Sequence, residues 1–336
     1  MNFDASFTGK DRLRIRLQAR EARTEFFDGD PGFDFSGGGS NTFILDDLIY
    51  QFRAFNDSAR ISIGLLSVDA DQVFAYDVPW EPFSNFADTP KSTQDAIDGS
   101  VAGFRFNISK DITFAYAYTA ADTTPGTVGA FGSGVGVTSG NTGHYLELGF
   151  TPTETLGLYF QFGTSYVENG ANLGFLADGE TLFRGPLFNP ADVDKAFAPA
   201  RAQVDGFSFA TNWEITPRVI FSGWVTFGNI EYQLPAVVPD GAIDPGSEDF
   251  SGWMAGFLFP DLFIEGGEGL VAFGQPIVGD GINERPFILD LSYGFALNDY
   301  ITLRPGAYFV FNPNGGPEND NDPTLGVGAL QAIFEF

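Results

Sequence analysis

From Arg12 to Leu17 the chain reads Arg-Leu-Arg-Ile-Arg-Leu, a strict alternation of guanidinium and aliphatic side chains. Successive side chains of an extended strand point to opposite faces, so one face here is cationic and the other apolar. Such a strand fits two settings. In a soluble sandwich the arginines face water and the aliphatics a core; in a wide membrane barrel the aliphatics face lipid and the arginines a water-filled lumen.

The same division recurs along the chain. Ile61, Ile63 and Leu65 oppose Arg60 and Ser62; Phe104, Phe106 and Ile108 oppose Arg105 and Asn107; Leu146, Leu148 and Phe150 oppose Glu147. Further on, Phe287, Leu289, Leu291, Tyr293 and Phe295 oppose Asp290 and Ser292, and Ile301, Leu303, Ala307 and Phe309 oppose Thr302, Arg304 and Tyr308. Charges on the inner face of so many strands would ruin a packed core, because an unpaired buried charge costs several kcal/mol. A hydrated lumen removes that cost. The expected fold class is therefore all-β, a transmembrane antiparallel up-and-down β-barrel.

Composition agrees, with 38 Phe, 42 Gly and 20 Pro against 2 Met. No window holds the roughly 18 to 20 continuous apolar residues that a spanning helix needs, so a membrane crossing must use strands. There is no cysteine to staple a small fold. The residues after Met1 lack both a basic start and an apolar stretch, so the chain reads as a mature or truncated form.

Tight turns are expected near Gly9-Lys10, Asn56-Asp57, Lys110-Asp111, Thr153-Glu154, Thr216-Pro217 and Asn298-Asp299, with an irregular one at Phe259-Pro260-Asp261-Leu262. Between them lie long connections rich in Gly, Asn, Asp and Pro, the asymmetry of a transmembrane barrel with short periplasmic turns and long extracellular loops. Fifteen strands are recognisable, at about 2–8, 11–22, 43–54, 58–68, 99–108, 112–120, 144–151, 155–166, 202–214, 218–232, 249–259, 268–276, 285–296, 300–311 and 324–336. A single-chain bacterial barrel closes with an even number. A barrel of about 16 strands, one of them lost, shifted or replaced, is expected. Phe52, Tyr118, Tyr232, Tyr300, Phe311 and Phe336 are candidates for the aromatic girdles at its rims.

The predicted pore-lining residues are Arg12, Arg14, Arg16, Arg20, Asp47, Arg53, Arg60, Arg105, Glu147, Asp290 and Arg304. The arginine row has two readings: a pore-lining basic ladder that shapes the transverse field, or arginines largely neutralised by acids on neighbouring strands or on an inserted loop. Connection 69–98 holds Phe74, Tyr76, Trp80, Phe83 and Phe86 among its acids, more rings than a solvated loop needs. It either folds inward and narrows the barrel, with Asp77, Trp80, Glu81 and Phe83 as the constriction candidates, or forms an outer cap or subunit contact. Connection 168–200 is the alternative plug.

A net charge of -27 excludes nucleic acid as a partner. His144 is the only histidine and opens a strand beside a Gly-rich loop, so no catalysis is expected, and no metal or cofactor. The run Asn319-Asp320-Asn321-Asp322 lacks the spacing of a calcium loop and reads as solvated acids.

Particular stretches also carry a resemblance. Ser6-Phe7-Thr8-Gly9-Lys10-Asp11-Arg12-Leu13-Arg14, Ser222-Gly223-Trp224-Val225, Phe257-Leu258-Phe259-Pro260-Asp261-Leu262, Tyr300-Ile301-Thr302-Leu303-Arg304-Pro305-Gly306, Asn312-Pro313 and Phe334-Glu335-Phe336 resemble the cyanobacterial major outer-membrane porins, which are related to the OprB type of carbohydrate-selective porin. The resemblance implies an integral outer-membrane protein in contact with lipid and assembled as a homotrimer. It also implies passive passage of small hydrophilic solutes and inorganic ions, with sugars or iron as cargo. Members usually carry an S-layer-homology domain before the barrel; here one barrel domain over 1–336 is expected without it. The other function class kept open is a plugged structural barrel acting as a scaffold or adhesin.

Overall fold

The computed structural model describes residues 2–18, 44–94, 96–97, 99–121, 141–167, 201–233, 247–279, 285–298, 300–312 and 324–334. Among them are fifteen strands. They are β1 (Asn2–Ala5), β2 (Arg12–Gln18), β3 (Ile44–Ala54), β4 (Ala59–Val68), β5 (Gly99–Asn107), β6 (Ile112–Ala121), β7 (Thr142–Thr153), β8 (Leu156–Val167), β9 (Arg201–Thr216), β10 (Val219–Gln233), β11 (Ser247–Pro260), β12 (Glu268–Gly279), β13 (Phe287–Asn298), β14 (Ile301–Phe311) and β15 (Leu325–Phe334). All belong to one sheet in which each strand pairs antiparallel with its sequence neighbours.

The sheet is curled around a segment of the chain. Gln51 on β3 donates to the carbonyl of Gln72, and Arg304 on β14 donates to the carbonyl of Glu81. Eleven strand positions separate β3 from β14, roughly 53 Å in a flat sheet at about 4.8 Å per strand. Gln72 and Glu81 are nine residues apart and can span at most about 32 Å. The two strands meet one short segment only because the sheet wraps around it.

The other face is convex and apolar. Leu148, Phe209 and Leu330 are 47%, 51% and 62% exposed, and Ile63, Phe160, Val225, Phe227 and Leu291 share their phase. Aromatic rings meet across adjacent strands on this face, as Phe160 with Phe209 and Phe207 with Phe227. An apolar belt of this extent is not tolerated in water but is required against acyl chains. No helix of the described residues is long and apolar enough to cross a membrane.

β1 is shorter than the 2–8 expected from alternation. The Asp11 carboxylate accepts hydrogen bonds from the Ser6 hydroxyl, the Phe7 and Thr8 backbone N–H groups, the Thr8 hydroxyl and the Tyr50 hydroxyl. This gathers 6–10 into a knot instead of letting them continue the ladder. The same bonds, the Thr8 hydroxyl first among them, hold the Asp11 carboxyl well below the usual carboxylate range. Since neighbours are antiparallel and the count is odd, β1 and β15 run in the same direction. Among the described residues neither outer edge has a partner strand.

Candidate functional site

The described residues of 69–97, between β4 and β5, form the segment around which the sheet curls. Short 3-10 turns at Ala70–Gln72 and Asn85–Ala87 and a single helical turn, α1 (Lys91–Gln94), give it local shape. Its apolar side chains turn toward the wall. Tyr76 and Phe83 are fully buried, and Trp80 nearly so. Tyr76, Val78, Trp80 and Ala87 pack with Ala210, Trp224, Met254, Leu258 and Leu270, whereas Phe83 packs with Ile288, Tyr308, Val310 and Val327.

The wall is shaped to receive these groups. A Cβ at Gly256 would come within 2.4 Å of the Trp80 ring, and one at Gly306 within 2.7 Å of the Phe83 ring. At Gly103 it would lie 2.9 Å from a Val73 methyl, and at Gly163 3.0 Å from the Ser92 carbonyl oxygen. At these inward positions glycine is needed for close approach.

Polar anchors fix the segment where it crosses the barrel. Glu147 on β7 accepts from the backbone N–H groups of Ala75 (2.6 Å) and Tyr76 (3.2 Å) and from Gln161 Nε2 (2.9 Å). Asp290 on β13 accepts from the Ser84 N–H (3.0 Å) and from the Ser84 hydroxyl. Hydroxyls of the wall complete the seating. Tyr76 Oη meets Ser222 Oγ at 3.1 Å, Ser92 Oγ meets Thr226 Oγ1 at 2.6 Å, and Thr93 Oγ1 meets Ser208 Oγ at 2.8 Å. Trp224 Nε1 and Asn212 Nδ2 donate to the carbonyls of Asp88 and Asp77. A loop buried this way must satisfy its backbone polar groups, and the wall carboxylates and amides supply partners.

The wall is thereby divided. Glu147, Asp290 and Arg304 are inward, as their phase requires, yet the segment covers them and they do not face open water. Ala115, Ala117, Met254, Leu258 and Ile288 on β6, β11 and β13 are inward and apolar. The expectation of a charged inner face throughout is corrected here: where the segment packs, a dry interface replaces the lumen.

On β3 to β5 the inner face is mixed: Ile49, Val68 and Val101 pack with Ala70, Val73 and Phe74 of the segment, while guanidinium groups stand on β2 and near the short-turn ends of β3, β4 and β5. Arg12 and Arg14 both lie against Asp4 of β1, at 3.2 and 3.1 Å, and Arg16 lies 3.1 Å from Asp47 of β3. Of the two readings of the arginine row, the balanced one describes β2. Arg105 donates to the Phe74 carbonyl at 2.8 Å, Arg60 donates to Gln51 Oε1, and Arg53 is exposed. Asp77 and Glu81 are the exposed acids of the inserted segment, in contrast to Trp80 and Phe83. Asp77 keeps some solvent contact, but its partial burial inside the barrel, followed by the charges of Asp71 and Glu81, lifts its carboxyl to about 6.

Arg20, the 168–200 connection, the acids at 319–322, Phe336 and the Tyr232 side chain lie outside the described residues. Among the described residues no group of three or more acids or histidines is placed to hold a metal ion. His144 sits exposed on the outer face, its Nδ1 2.9 Å from Tyr116 Oη and its ring against Tyr118. Sequence reasoning did not find Asp4 as the partner of two arginines, nor Glu147 and Asp290 as anchors.

A curled antiparallel sheet with a lipid-facing apolar belt and an inward-folded connection is the fold of an integral outer-membrane β-barrel. Residues 265–336 match the carbohydrate-selective porin, OprB family. An uncharacterized protein of Synechocystis sp. is 25% identical over 380 residues, and one of Nostoc sp. 24% identical over 381. The alignments cover all of this chain and 62% and 60% of those relatives, so the chain spans about three-fifths of their length. The cyanobacterial resemblance read from the sequence holds.

Among solved structures, an anion-selective porin from Comamonas acidovorans superposes with a TM-score of 0.57 at 12% identity, covering 98% of this chain and 87% of that one. OprB of Pseudomonas putida gives 0.56 at 12% identity, with 97% and 84% covered. The trimer form of Vibrio cholerae OmpT gives 0.56 at 8%, with 98% and 89% covered. At these identities the likeness is one of fold.

Proposed function

We propose that this protein is a diffusion channel of the outer membrane for small hydrophilic solutes, carbohydrates and inorganic ions among them. The observation that carries the reading is an inner wall on which 69–94 is packed across most strands, while guanidinium groups remain on β2 and near the short-turn ends of β3 to β5. In this reading Trp80 and Phe83 are the anchors of a constriction, and Asp77 and Glu81 are its acidic edge. Arg12, Arg14, Arg16, Asp47, Arg53 and Arg60 are the opposing pore lining. Solutes remain hydrated, the free bore sets exclusion, and fixed charges bias ions. The match to the OprB family supports sugars as cargo, and the likeness to a trimeric porin supports a homotrimer in contact with lipid.

Planar-bilayer recording tests this, with stepwise conductance as the expected result. The extent of packing around 69–98 favours a second reading, a plugged scaffold barrel. A chain that inserts, shows heat-modifiable gel migration and stays electrically silent would establish that reading instead. A pH effect follows from Asp77, whose carboxyl is raised to about 6. Above that value it is charged and attracts cations; below it the charge is lost. Lowering the pH from about 7.5 to about 5 is expected to shift the reversal potential in the direction of anions. Asp77→Asn should remove that part of the pH response, and an unchanged response in the variant would contradict the assignment.

A further inference from the structure

Three inward arginines stand side by side on β3, β4 and β5. The register places Arg53 opposite Arg60 and Arg60 opposite Arg105, at the roughly 4.8 Å spacing of neighbouring strands. Like charges directly opposite one another are unfavourable. On β2 this chain relieves the problem with carboxylates, since Arg12 and Arg14 share Asp4 and Arg16 has Asp47. Across β3 to β5 relief is partial: Glu147 stands two strands from Arg105 in the same row but is engaged by the segment's N–H groups, and Arg53 and Arg60 have no ion pair among the described residues. Among the described residues none of the three has a carboxylate within 4.0 Å.

Their acceptors are neutral. Arg105 is held by the Phe74 carbonyl and Arg60 by Gln51 Oε1. Gln51 is itself oriented, because its Nε2 donates to Ser62 Oγ at 3.1 Å and to the Gln72 carbonyl at 2.8 Å, turning its oxygen toward Arg60. Neutral acceptors aim a guanidinium without cancelling its charge. Arg53 makes no hydrogen bond or ion pair among the described residues and is exposed. The row therefore runs from a guanidinium tucked against the inserted segment to one open to water. It lies near the short-turn rim, since β3 ends at Ala54 and β4 begins at Ala59.

We propose that Arg53, Arg60 and Arg105 form a binding step for an oxyanion, the phosphate or carboxylate group of a small solute, on the short-turn side of the inserted segment. Planar guanidinium groups pair with such groups through two parallel hydrogen bonds, and an anion bridging adjacent arginines relieves their mutual repulsion. The proposal rests on the channel reading for its role in passage. Binding itself does not depend on conduction.

The test is current through single channels in potassium chloride while inorganic phosphate is added at constant ionic strength, with gluconate in a parallel run as the carboxylate source. Phosphate is expected to reduce the chloride current saturably, and Arg53→Gln with Arg60→Gln to weaken that effect by about tenfold or more, the loss of one charge-assisted contact. Gluconate acting alone would assign the site to carboxylates. An equal effect in wild type and variant, or no saturation with either anion, would overturn the proposal while leaving the channel intact. Absence of any current would overturn the channel reading, and calorimetric titration of the detergent-solubilised protein with phosphate would then decide the site. Should the double variant fail to fold, Arg53→Gln alone carries the test, because that side chain makes no hydrogen bond or ion pair among the described residues.

Discussion

Replacing Glu147 and Asp290 together by alanine is expected to free residues 69–98 from the wall and raise single-channel conductance severalfold, with added current noise. The double replacement strands the backbone N–H groups of Ala75, Tyr76 and Ser84, which now end on the two carboxylates. Hydrogen bonds to a charged acceptor contribute about 1.5 to 3 kcal/mol each, and a buried donor left without a partner costs about 1 to 3 kcal/mol. The segment then loses its charged anchors at two points, leaving the rings of Trp80 and Phe83 held there by packing. The strand ladder is untouched, so heat-modifiable migration should persist. Glu147→Gln, which keeps an acceptor but loses the charge, should fall between. Unchanged conductance in the alanine variant would mean that 69–98 does not limit the bore.

The second large effect concerns the outer face. Phe160 lies mid-strand on β8, 39% exposed, with its ring against Phe207 and Phe209. Phe160→Arg should cost about 2 to 4 kcal/mol, the penalty for a cation on the lipid face near the bilayer midplane. Insertion yield into lipid vesicles should drop sharply. Thr302→Arg, in the inward phase of β14 two residues from Arg304, meets solvent rather than acyl chains and should insert normally. Equal yields would place both positions in the same medium.

The strands were legible because alternation is local. All fifteen expected segments are strands, and the odd count, with β1 and β15 running the same way, follows from the same reading. Which face each strand presents was also legible, from Leu13 and Arg14 on β2 to Leu303 and Arg304 on β14. What lies across from an inward side chain was not. Period two says that Glu147 points inward, but says nothing of Ala75 and Tyr76 seventy residues away. The two readings of the β2 arginines turned on Asp4, a residue in a strand too short to show a pattern.

One signal for the inserted segment was present and went unread. Gly103, Gly163, Gly256 and Gly306 occupy inward positions, where a wide lumen has no need of small side chains. Glycines on the inner face of a barrel wall mark where something else must fit. The apolar inward residues Met254, Leu258 and Ile288 carry the same message, since no hydrated pore calls for them.

The central claim is that neighbouring residues of one strand look into different media. Because the chain has no cysteine, single cysteines can be placed at Phe52 and at Arg53 without background. Each would carry a fluorescent label in lipid vesicles and be challenged with a bromine-bearing lipid and with aqueous iodide. Quenching by lipid bromine is expected at position 52 and by iodide at position 53. Iodide quenching at 52 with bromine quenching at 53, or equal quenching of both by iodide, would contradict it.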